Sequence, residues 1–375
     1  MGNLTAIGIT PNSAVIGRSW LHAMRSVLLR RSLIIRTPRQ QSSEKCAVRL
    51  AKFNFKRDHS PLQTQHINAT PAKSELIELP QNSAHFSPMR LIEDPAQLTD
   101  ASLLHCSFVP TMGALHAGHG SLVTRAMRDG RPVVVSIFVN PTQFGPNEDY
   151  ARYPRTLDAD CALMESIGVS AVFLPSVEAI YPMGLEASHV CAAQLVLPEV
   201  ATRPQLEDAS RKNHFGGVAL VVARLFDLVR PLAAYFGEKD FQQLRLIEAM
   251  VAADRARFPD LRIERCATMR EPDGLAMSSR NRYLAPEARR SALALSQALF
   301  AANEAKNIAH AERAMREILD AQSIETEYAV VRDERTLMPV DQADIAARAR
   351  PLRALIAARV GNTRLIDNMQ LTLRA

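Results

Sequence analysis

The sequence predicts an α/β protein with a mostly parallel sheet, followed by a smaller α+β domain. Three observations support this prediction. From Met89 onward, apolar runs rich in β-branched residues alternate with amphipathic stretches of helical period. Beyond Met269 the composition changes to segments rich in Ala, Arg and Glu, and before Met89 neither a period of 2 nor one of 3.6 is sustained. We therefore divide the chain into residues 1–88, 89–267 and 268–375.

The larger domain is predicted from the order of its apolar runs. The apolar runs rich in β-branched residues predict five strands, at Ser107–Thr111, Val133–Val139, Ala171–Leu174, Ala233–Phe236 and Ile263–Ala267. The amphipathic stretches are placed in helices at Ser121–Arg128, Leu157–Ile167, Val218–Val229 and Phe241–Ala253. Gly168 follows the second helix and suits the left-handed residue that ends many helices.

The smaller domain is predicted to begin near residue 268 and to combine helices with short strands. The helices are placed at Pro286–Asn303 and Ala311–Ala321, and the strands at Glu325–Val331 and Leu355–Val360. No internal repeat is visible in the sequence. An α+β arrangement follows because the helices precede the strands instead of alternating with them.

The net charge of +6 is concentrated in the N-terminal segment. Residues 1–88 carry 12 Lys and Arg against 4 Asp and Glu, whereas the remainder carries 33 against 35, a balance of −2. A nucleic-acid partner is therefore not expected, because it would require a basic surface on the folded body. Nor is a membrane partner expected, since no uninterrupted apolar run approaches the roughly 18 residues of a membrane span.

Residues 1–88 have two interpretations. Arg18–Arg39 contains no acidic residue and mixes Arg with Leu and Ile, a composition typical of organelle transit peptides. Alternatively, translation starts at Met89, where the sequence MRLIEDPAQL begins in the style of a cytoplasmic enzyme. We adopt the second interpretation and expect a cytoplasmic protein, with residues 1–88 as a poorly ordered extension.

The five cysteines indicate neither a zinc site nor a disulfide framework. Their number is odd, their spacing is wide, and no CxxC pair occurs. They favour a reducing compartment, in which cysteines serve as small buried apolar residues. They are Cys46, Cys106, Cys161, Cys191 and Cys266.

The first motif with chemical potential is VPTMGALHAGHGSL, residues 109–122. An apolar strand ends in a turn and opens a helix, with His116 and His119 three residues apart on one helix face. Gly113 and Gly118 allow the backbone to approach a ligand, and the free N–H groups of a helix N-terminus bind phosphate. The two imidazoles are therefore candidates to stabilise charge on a leaving phosphate group.

Two further motifs follow predicted strands. Gln143 lies in the polar loop after the second strand, where ligands of open α/β sheets bind, although an Asn-Pro turn at Asn140 also explains that loop. In GEKD, residues 237–240, Lys239 offers a mobile positive charge, and Asp240 suits a helix N-cap. A solvated surface lysine is the alternative interpretation of Lys239.

The fourth motif, MSSRN, lies in a polar loop at residues 277–281, beside the predicted domain junction. The hydroxyls of Ser278 and Ser279 and the guanidinium of Arg280 are suited to holding phosphate oxygens and then releasing them.

Taken together, HxGH, NPxQF, GEKDxxQ and MSSRN occur in an order and spacing that resembles the pantothenate synthetase family. The resemblance extends over residues 89–375 and includes HFGGVALVVARLF (214–226) and TRLIDN (363–368). It implies a Rossmann-like nucleotide-binding domain, a smaller C-terminal domain that closes over it, and a homodimer. It also implies joining of pantoate to β-alanine with ATP and Mg²⁺ through a pantoyl adenylate, with release of AMP and pyrophosphate.

The resemblance also implies roles for individual residues. The catalytic set would be His119, His116, Lys239 and Arg280. Gln143 and Gln243 would bind pantoate, with Gln143 also near β-alanine. The ATP site would comprise Met112, Gly113, Ala114, Leu115, His116, Ala117, Gly118, His119, Gly237, Glu238, Lys239, Asp240, Met269, Met277, Ser278, Ser279 and Arg280.

Three residues depart from the family pattern. Ala117 stands where an acidic residue is frequent, Gly120 where Leu is usual and Met269 where Val is common. The metal ligands are not identified from the sequence; Asp160 is a candidate, although the interpretation as an exposed helix carboxylate is favoured. A related nucleotidyltransferase that moves AMP or CMP onto a phosphate-bearing acceptor is the rival enzyme, and a non-catalytic relative is a further alternative.

Overall fold

Six parallel strands form the larger of two sheets in this computed structural model, which describes residues 88–146, 148–340 and 351–373. The strands are β1 (Arg90–Ile92), β2 (Ser107–Thr111), β3 (Val133–Ile137), β4 (Ala171–Phe173), β5 (Ala233–Gly237) and β6 (Arg262–Cys266), in the order β1-β4-β3-β2-β5-β6. The central strands are continuous apolar runs because helices cover both faces of the sheet. The predicted parallel α/β sheet is thus confirmed.

All five strands predicted for this sheet are present; β2 has the predicted bounds, and the ends of the other four shift by one or two residues. The strand predicted to reach Val139 ends at Ile137, because the chain turns there toward Asn140. β1 was not predicted, because a strand of three residues, Arg-Leu-Ile, is too short to show a period of 2.

Seven helices in the described part accompany this sheet. They are α1 (Ala117–Met127), α2 (Leu157–Ile167), α3 (Val177–Ile180), α4 (Leu185–Gln194), α5 (Glu207–Ser210), α6 (His214–Val229) and α7 (Phe241–Ala253). The prediction was correct for α2 and α7, and Gly168 ends α2 with φ 90°. Both α1 and α6 start four residues earlier than predicted, and α3, α4 and α5 were missed.

Helix α6 lies deep in the structure and makes two close backbone approaches at its first turn. A Cβ added to Gly216 would lie 2.1 Å from the carbonyl oxygen of Ala192, and one added to Gly217 would lie 2.2 Å from that of Thr142. Residues without a side chain are therefore required here. The contact presses the start of α6 against the turn that carries Gln143.

The C-terminal part contains a three-stranded antiparallel sheet covered by helices. The helices are α8 (Pro286–Ser291), α9 (Leu293–Asn303) and α10 (Ile308–Asp320), and the strands β7 (Glu325–Asp333), β8 (Leu352–Val360) and β9 (Thr363–Leu371) follow in the order β7-β8-β9. The predicted helix Pro286–Asn303 is divided at Ala292. Strand β9 was missed, because the adjacent apolar pair Leu365–Ile366 and the adjacent polar pair Asp367–Asn368 interrupt a period of 2.

The parallel sheet ends at Cys266 and α8 begins at Pro286, so the predicted boundary near 268 falls between them. Whether this boundary separates two domains stays a prediction, and the expectations for residues 1–87 lie outside the described residues. Cys106, Cys161, Cys191 and Cys266 carry free thiols. Within the described ranges, no helix has the length and apolar character needed to cross a membrane.

Candidate active site

One cavity of about 270 Å³ gathers residues from all four sequence motifs. It lies at the carboxyl ends of β2, β3 and β5, where α/β sheets bind ligands, and β7, β8 and β9 contribute its opposite wall. The predicted site residues that line it are Met112, His116, Gly118, His119, Gln143, Gly237, Lys239, Asp240, Gln243, Met269, Met277, Ser278, Ser279 and Arg280.

The two histidines of the first motif cap the N-terminus of α1. His116 is the N-cap residue, and its Nδ1 accepts a hydrogen bond from the N–H of Gly118 at 3.1 Å. In return, Nδ1 of His119 accepts from the N–H of His116 at 3.3 Å. The ring centroids lie 4.2 Å apart. This reciprocal arrangement is a capping box built from two imidazoles.

The capping box determines which nitrogen of each ring carries the proton. Because both Nδ1 atoms accept hydrogen bonds, each neutral ring has its proton on Nε2. Burial, together with the neighbouring His116 and Lys239, lowers the pKa of His119 to about 3. Burial and the charges of Lys239 and Arg282 lower the pKa of His116 as well. Both rings are therefore neutral hydrogen-bond donors at neutral pH.

Asp160 supports the turn that precedes these histidines. It is 2% exposed, and its two carboxylate oxygens accept hydrogen bonds from the N–H groups of Ala114 and Leu115, at 2.9 and 2.8 Å. The hydroxyl of Thr156 adds a third bond at 3.0 Å. The interpretation of Asp160 as an exposed helix carboxylate was wrong, because its position on α2 faces the glycine turn of Gly113, where φ is 78°.

Gln143 is held by contacts to its side chain and to its backbone. Its Oε1 accepts from Nδ2 of Asn140 at 2.9 Å, and its carbonyl oxygen lies 2.9 Å from Nδ1 of His214. Asn140 is itself fixed, because its Oδ1 accepts from the hydroxyl of Tyr181 at 2.6 Å. The amide Nε2 of Gln143 therefore points to Met112 Sδ, 3.1 Å away at the cavity wall.

His214 opens α6 and is 6% exposed. Arg211 lies 2.9 Å away and can only donate, so Nε2 of His214 accepts and its Nδ1–H donates to Gln143. Burial and the adjacent Arg211 lower the pKa of His214 to about 4. A neutral imidazole thus fixes the backbone of Gln143.

The GEKD motif forms a single turn, Glu238–Asp240, between β5 and α7. Lys239 Nζ lies 3.6 Å from the carboxylate of Asp240, and both line the cavity. Asp240 occupies the N-cap position of α7, but its side chain makes no capping hydrogen bond. Burial acts to raise the pKa of Asp240, but Lys239, Arg280 and Arg211 outweigh that effect and hold it below its usual value.

The fourth motif forms a short helical turn, Ser279–Tyr283, in which Ser278 Oγ accepts from the N–H of Arg280 at 3.3 Å. The guanidinium of Arg280 donates to both oxygens of Asp149, at 2.9 and 3.2 Å. Burial favours the neutral form of Arg280, but the Asp149 carboxylate outweighs it and raises the pKa of Arg280. The loop after Gln143 is thereby bound to the fourth motif.

Some cavity residues were not predicted from the sequence. Arg211 lines the cavity and forms a two-pronged ion pair with Glu148, at 2.7 and 2.8 Å. Asn140 was treated as part of a turn, and Asn368 as part of a terminal motif without a role. The neighbouring residues of a basic or amide side chain outside a recognised motif do not indicate that it belongs to a site, because its partners are distant in sequence.

Five of the predicted ATP-site residues do not line the cavity. Ala114 is fully buried behind it, Ala117 is exposed on α1, and Glu238 faces Arg353 at 3.5 Å. The other two are Gly113 and Leu115. Their assignment to the ATP site stays a prediction. Among the residues described, no group of three or more His, Cys, Asp or Glu side chains is arranged to hold a metal ion.

Comparison with known proteins gives a consistent result. A family model described as Pantoate-beta-alanine ligase matches residues 89–370. Pantothenate synthetase from Acidobacterium capsulatum is 50% identical over 266 residues, which cover 70% of this chain and 85% of that protein. The crystal structure of pantothenate synthetase from Thermus thermophilus is 42% identical with a TM-score of 0.67, covering 75% of this chain and 99% of that one. Pantoate-beta-alanine ligase from Francisella tularensis, complexed with beta-gamma ATP and beta-alanine, is 32% identical with a TM-score of 0.59, covering 75% and 97%.

Proposed function

This chain belongs to the pantoate-beta-alanine ligase family, and on that premise we propose that it joins pantoate to β-alanine at the expense of ATP. The observation that carries the proposal is the convergence of two kinds of group on one cavity. The first kind is suited to phosphate: the neutral imidazoles at the N-terminus of α1, together with Lys239 and Arg280. The second kind is suited to an organic acid: the side-chain amides of Gln143 and Gln243, which line the same cavity.

The reaction proceeds in two displacement steps. A carboxylate oxygen of pantoate first attacks the α-phosphorus of ATP, the bond from that phosphorus to the bridging oxygen breaks, and pyrophosphate leaves. The amine of β-alanine then attacks the acyl carbon of the pantoyl adenylate, the bond to AMP breaks, and the amine loses a proton. Neither step needs a covalent bond to the protein, so the side chains serve to position the reactants and to stabilise charge.

His116 and His119 would stabilise the first transition state as hydrogen-bond donors. Their Nε2–H groups are available because the capping box uses both Nδ1 atoms. Lys239 and Arg280 would supply positive charge to the same phosphates. Since the imidazoles are neutral, they contribute dipoles aligned before the reaction instead of mobile protons.

Pantoate would be held by the side chains of Gln143 and Gln243. The Oε1 of Gln143 accepts from Asn140 and one N–H of its Nε2 group donates to Met112 Sδ, so the second N–H would donate to a substrate oxygen. Gln143 would also lie beside β-alanine. Such an amide discriminates against substrates that lack a matching oxygen, because its second N–H would then be left without a partner in a partly buried site.

Magnesium is proposed as an ion that enters with the nucleotide. Protein sites for Mg²⁺ commonly use one or two carboxylates and leave the remaining positions to phosphate oxygens and water. Asp240 fits such a site, because its half-exposed carboxylate lines the cavity and remains ionised, whereas both oxygens of Asp160 already accept backbone N–H groups. When bound, the ion would neutralise phosphate charge.

We also propose a homodimer in the cytoplasm, with the C-terminal part acting as a lid over the nucleotide. These proposals are supported by the resemblance to the family. Sedimentation of the full chain tests the first of them, and a molar mass of one chain at micromolar concentration would contradict it.

The experiment that tests the function incubates the full chain with ATP, Mg²⁺, pantoate and β-alanine, and omits each substrate in turn. Formation of AMP and pantothenate that requires both acids supports the proposal. Transfer of AMP to a phosphate-bearing acceptor, without pantothenate, would support the rival nucleotidyltransferase instead. A chain that starts at Met89, assayed in parallel, shows whether residues 1–88 are needed.

A further inference from the structure

Asn368, on β9, contacts the turn that carries Lys239 although 129 residues separate the two in sequence. Its side chain is 4% exposed, and its Nδ2 donates to the carbonyl oxygens of Glu238 at 2.9 Å and Lys239 at 2.8 Å. Its Oδ1 accepts from Nη1 of Arg353 at 2.6 Å. Both donors of the amide are used, and its orientation follows because a guanidinium can only donate.

Arg353 holds the amide of Asn368 from a rigid position. It is 2% exposed, its guanidinium carbon lies 3.7 Å from the ring centroid of Phe241, and it faces Glu238 and Glu334 at 3.5 and 3.3 Å. The cation is therefore stacked and paired on two sides. Asn368 thus connects a fixed group of the antiparallel sheet to the start of α7.

The preceding residue, Asp367, fixes the loop that leads to Arg280. Asp367 is 2% exposed and accepts two hydrogen bonds from Arg270, at 2.7 and 2.9 Å. Arg270 follows Met269, whose carbonyl oxygen accepts from the N–H of Met277 at 2.9 Å. Two consecutive residues of β9 therefore set the separation between the Lys239 turn and the loop that leads to Arg280.

We propose that Asn368 is a positioning residue for adenylate formation, acting through the backbone of the Glu238–Lys239 turn on the ammonium group of Lys239. This inference rests on the proposed function. A lysine side chain is long and flexible, so the site of its charge depends on where its backbone is anchored. A misplacement of about 1 Å costs on the order of 10²-fold in rate. The second half-reaction forms no pyrophosphate and depends less on this charge.

The test replaces Asn368 by Asp in the full chain. The carboxylate keeps the shape of the amide and its contact with Arg353, so the variant is expected to fold, but it offers no donor to the two carbonyl oxygens. Pantoate-dependent exchange of labelled pyrophosphate into ATP is expected to fall at least tenfold. The reaction of supplied pantoyl adenylate with β-alanine is expected to fall less than threefold. Gln370→Glu, an equal change at an exposed position of β9, is the control.

A double-mutant cycle with Lys239→Ala separates positioning from a general structural role. If Asn368 acts through Lys239, Asn368→Asp lowers the exchange rate of the Lys239→Ala chain by less than twofold. An equal proportional loss in both backgrounds, or an equal loss in both half-reactions, would overturn the inference. Absence of exchange in the unaltered chain would contradict the proposed function itself, whereas exchange that Asn368→Asp leaves unchanged would contradict the positioning role alone.

Discussion

Asp149 accepts two hydrogen bonds from the guanidinium of Arg280, at 2.9 and 3.2 Å, across 131 residues of sequence. The pair joins the loop after Gln143 to the fourth motif at the cavity wall. Because the Asp149 carboxylate balances the charge of Arg280, a phosphate group must compete with this carboxylate for the guanidinium.

Asp149→Asn is therefore expected to lower the KM for ATP about fivefold, the factor that corresponds to about 1 kcal/mol for a partly exposed ion pair. Initial rates at varied ATP measure this effect. Asp158→Asn makes the same change at an exposed position nearby and should leave the KM unaltered. A higher KM in Asp149→Asn would show that Asp149 assists nucleotide binding instead of competing with it.

His119→Ala is expected to depress adenylate formation by about 10² or more, because a hydrogen-bond donor to the developing charge is lost. The pyrophosphate exchange rate measures that step, and circular dichroism checks the fold. With a pKa near 3 in the folded chain, His119 is not expected to produce a limb in the pH–rate profile between pH 5 and 8. An almost unchanged exchange rate would refute the assigned role.

Acid should destabilise the fold through its buried histidines. An unfolded histidine titrates near 6.5, whereas the pKa of His214 is held at about 4. Between these values the unfolded chain binds a proton that the folded chain does not, so stability falls as pH falls, by about 2 kcal/mol at pH 5. In His214→Gln, the loss of unfolding free energy between pH 7 and pH 5 should be smaller by that amount.

Urea unfolding at the two pH values measures this difference. His189→Gln removes an exposed histidine and is the matched control, for which the loss should equal that of the unaltered chain. If His214→Gln also retains the full loss, burial of His214 does not contribute to acid sensitivity.

Asp160→Ala should lower the free energy of unfolding by about 3 kcal/mol, because the buried N–H groups of Ala114 and Leu115 lose a charged acceptor. Asp158→Ala, on the exposed side of the same helix, should change it by less than about 0.5 kcal/mol. Thermal unfolding of both variants, with and without Mg²⁺, measures the effect. If Mg²⁺ raises the unfolding temperature of the unaltered chain and of Asp158→Ala but not that of Asp160→Ala, Asp160 is a metal ligand and the structural interpretation is contradicted.

Two glycine substitutions are expected to act in opposite directions. Gly217→Ala places a methyl group 2.2 Å from the carbonyl oxygen of Thr142, so it should destabilise the fold by about 3 kcal/mol and raise the KM for pantoate by displacing Gln143. Gly120→Ala meets Ile167 at an ordinary 3.5 Å and should stabilise α1 by about 1 kcal/mol. Urea unfolding measures the stability of both variants, and initial rates at varied pantoate measure their KM. If both substitutions change the free energy of unfolding by the same amount, the close backbone approach at Gly217 does not limit the residue there.

Sequence alone predicted the parallel sheet, because the apolar period of a strand or a helix can be recognised from residues that are neighbours in sequence. Helices α2 and α7 and strand β2 have the predicted bounds. The four motifs were also recognisable locally, and most of their residues line one cavity. Short or polar elements, such as β1 and β9, carry too weak a period to be predicted.

Tertiary structure decided how the site residues are held and charged. The burial of Asp160, the neutral state of His119 and the contact between Asn368 and the Lys239 turn all depend on segments brought together by folding. Local periodicity constrains a residue by neighbours within a few positions, whereas a buried polar group must find its partner wherever the folded chain excludes water. For this reason the sequence determined which residues form the site, and the packing of the two sheets determined their protonation and their positions.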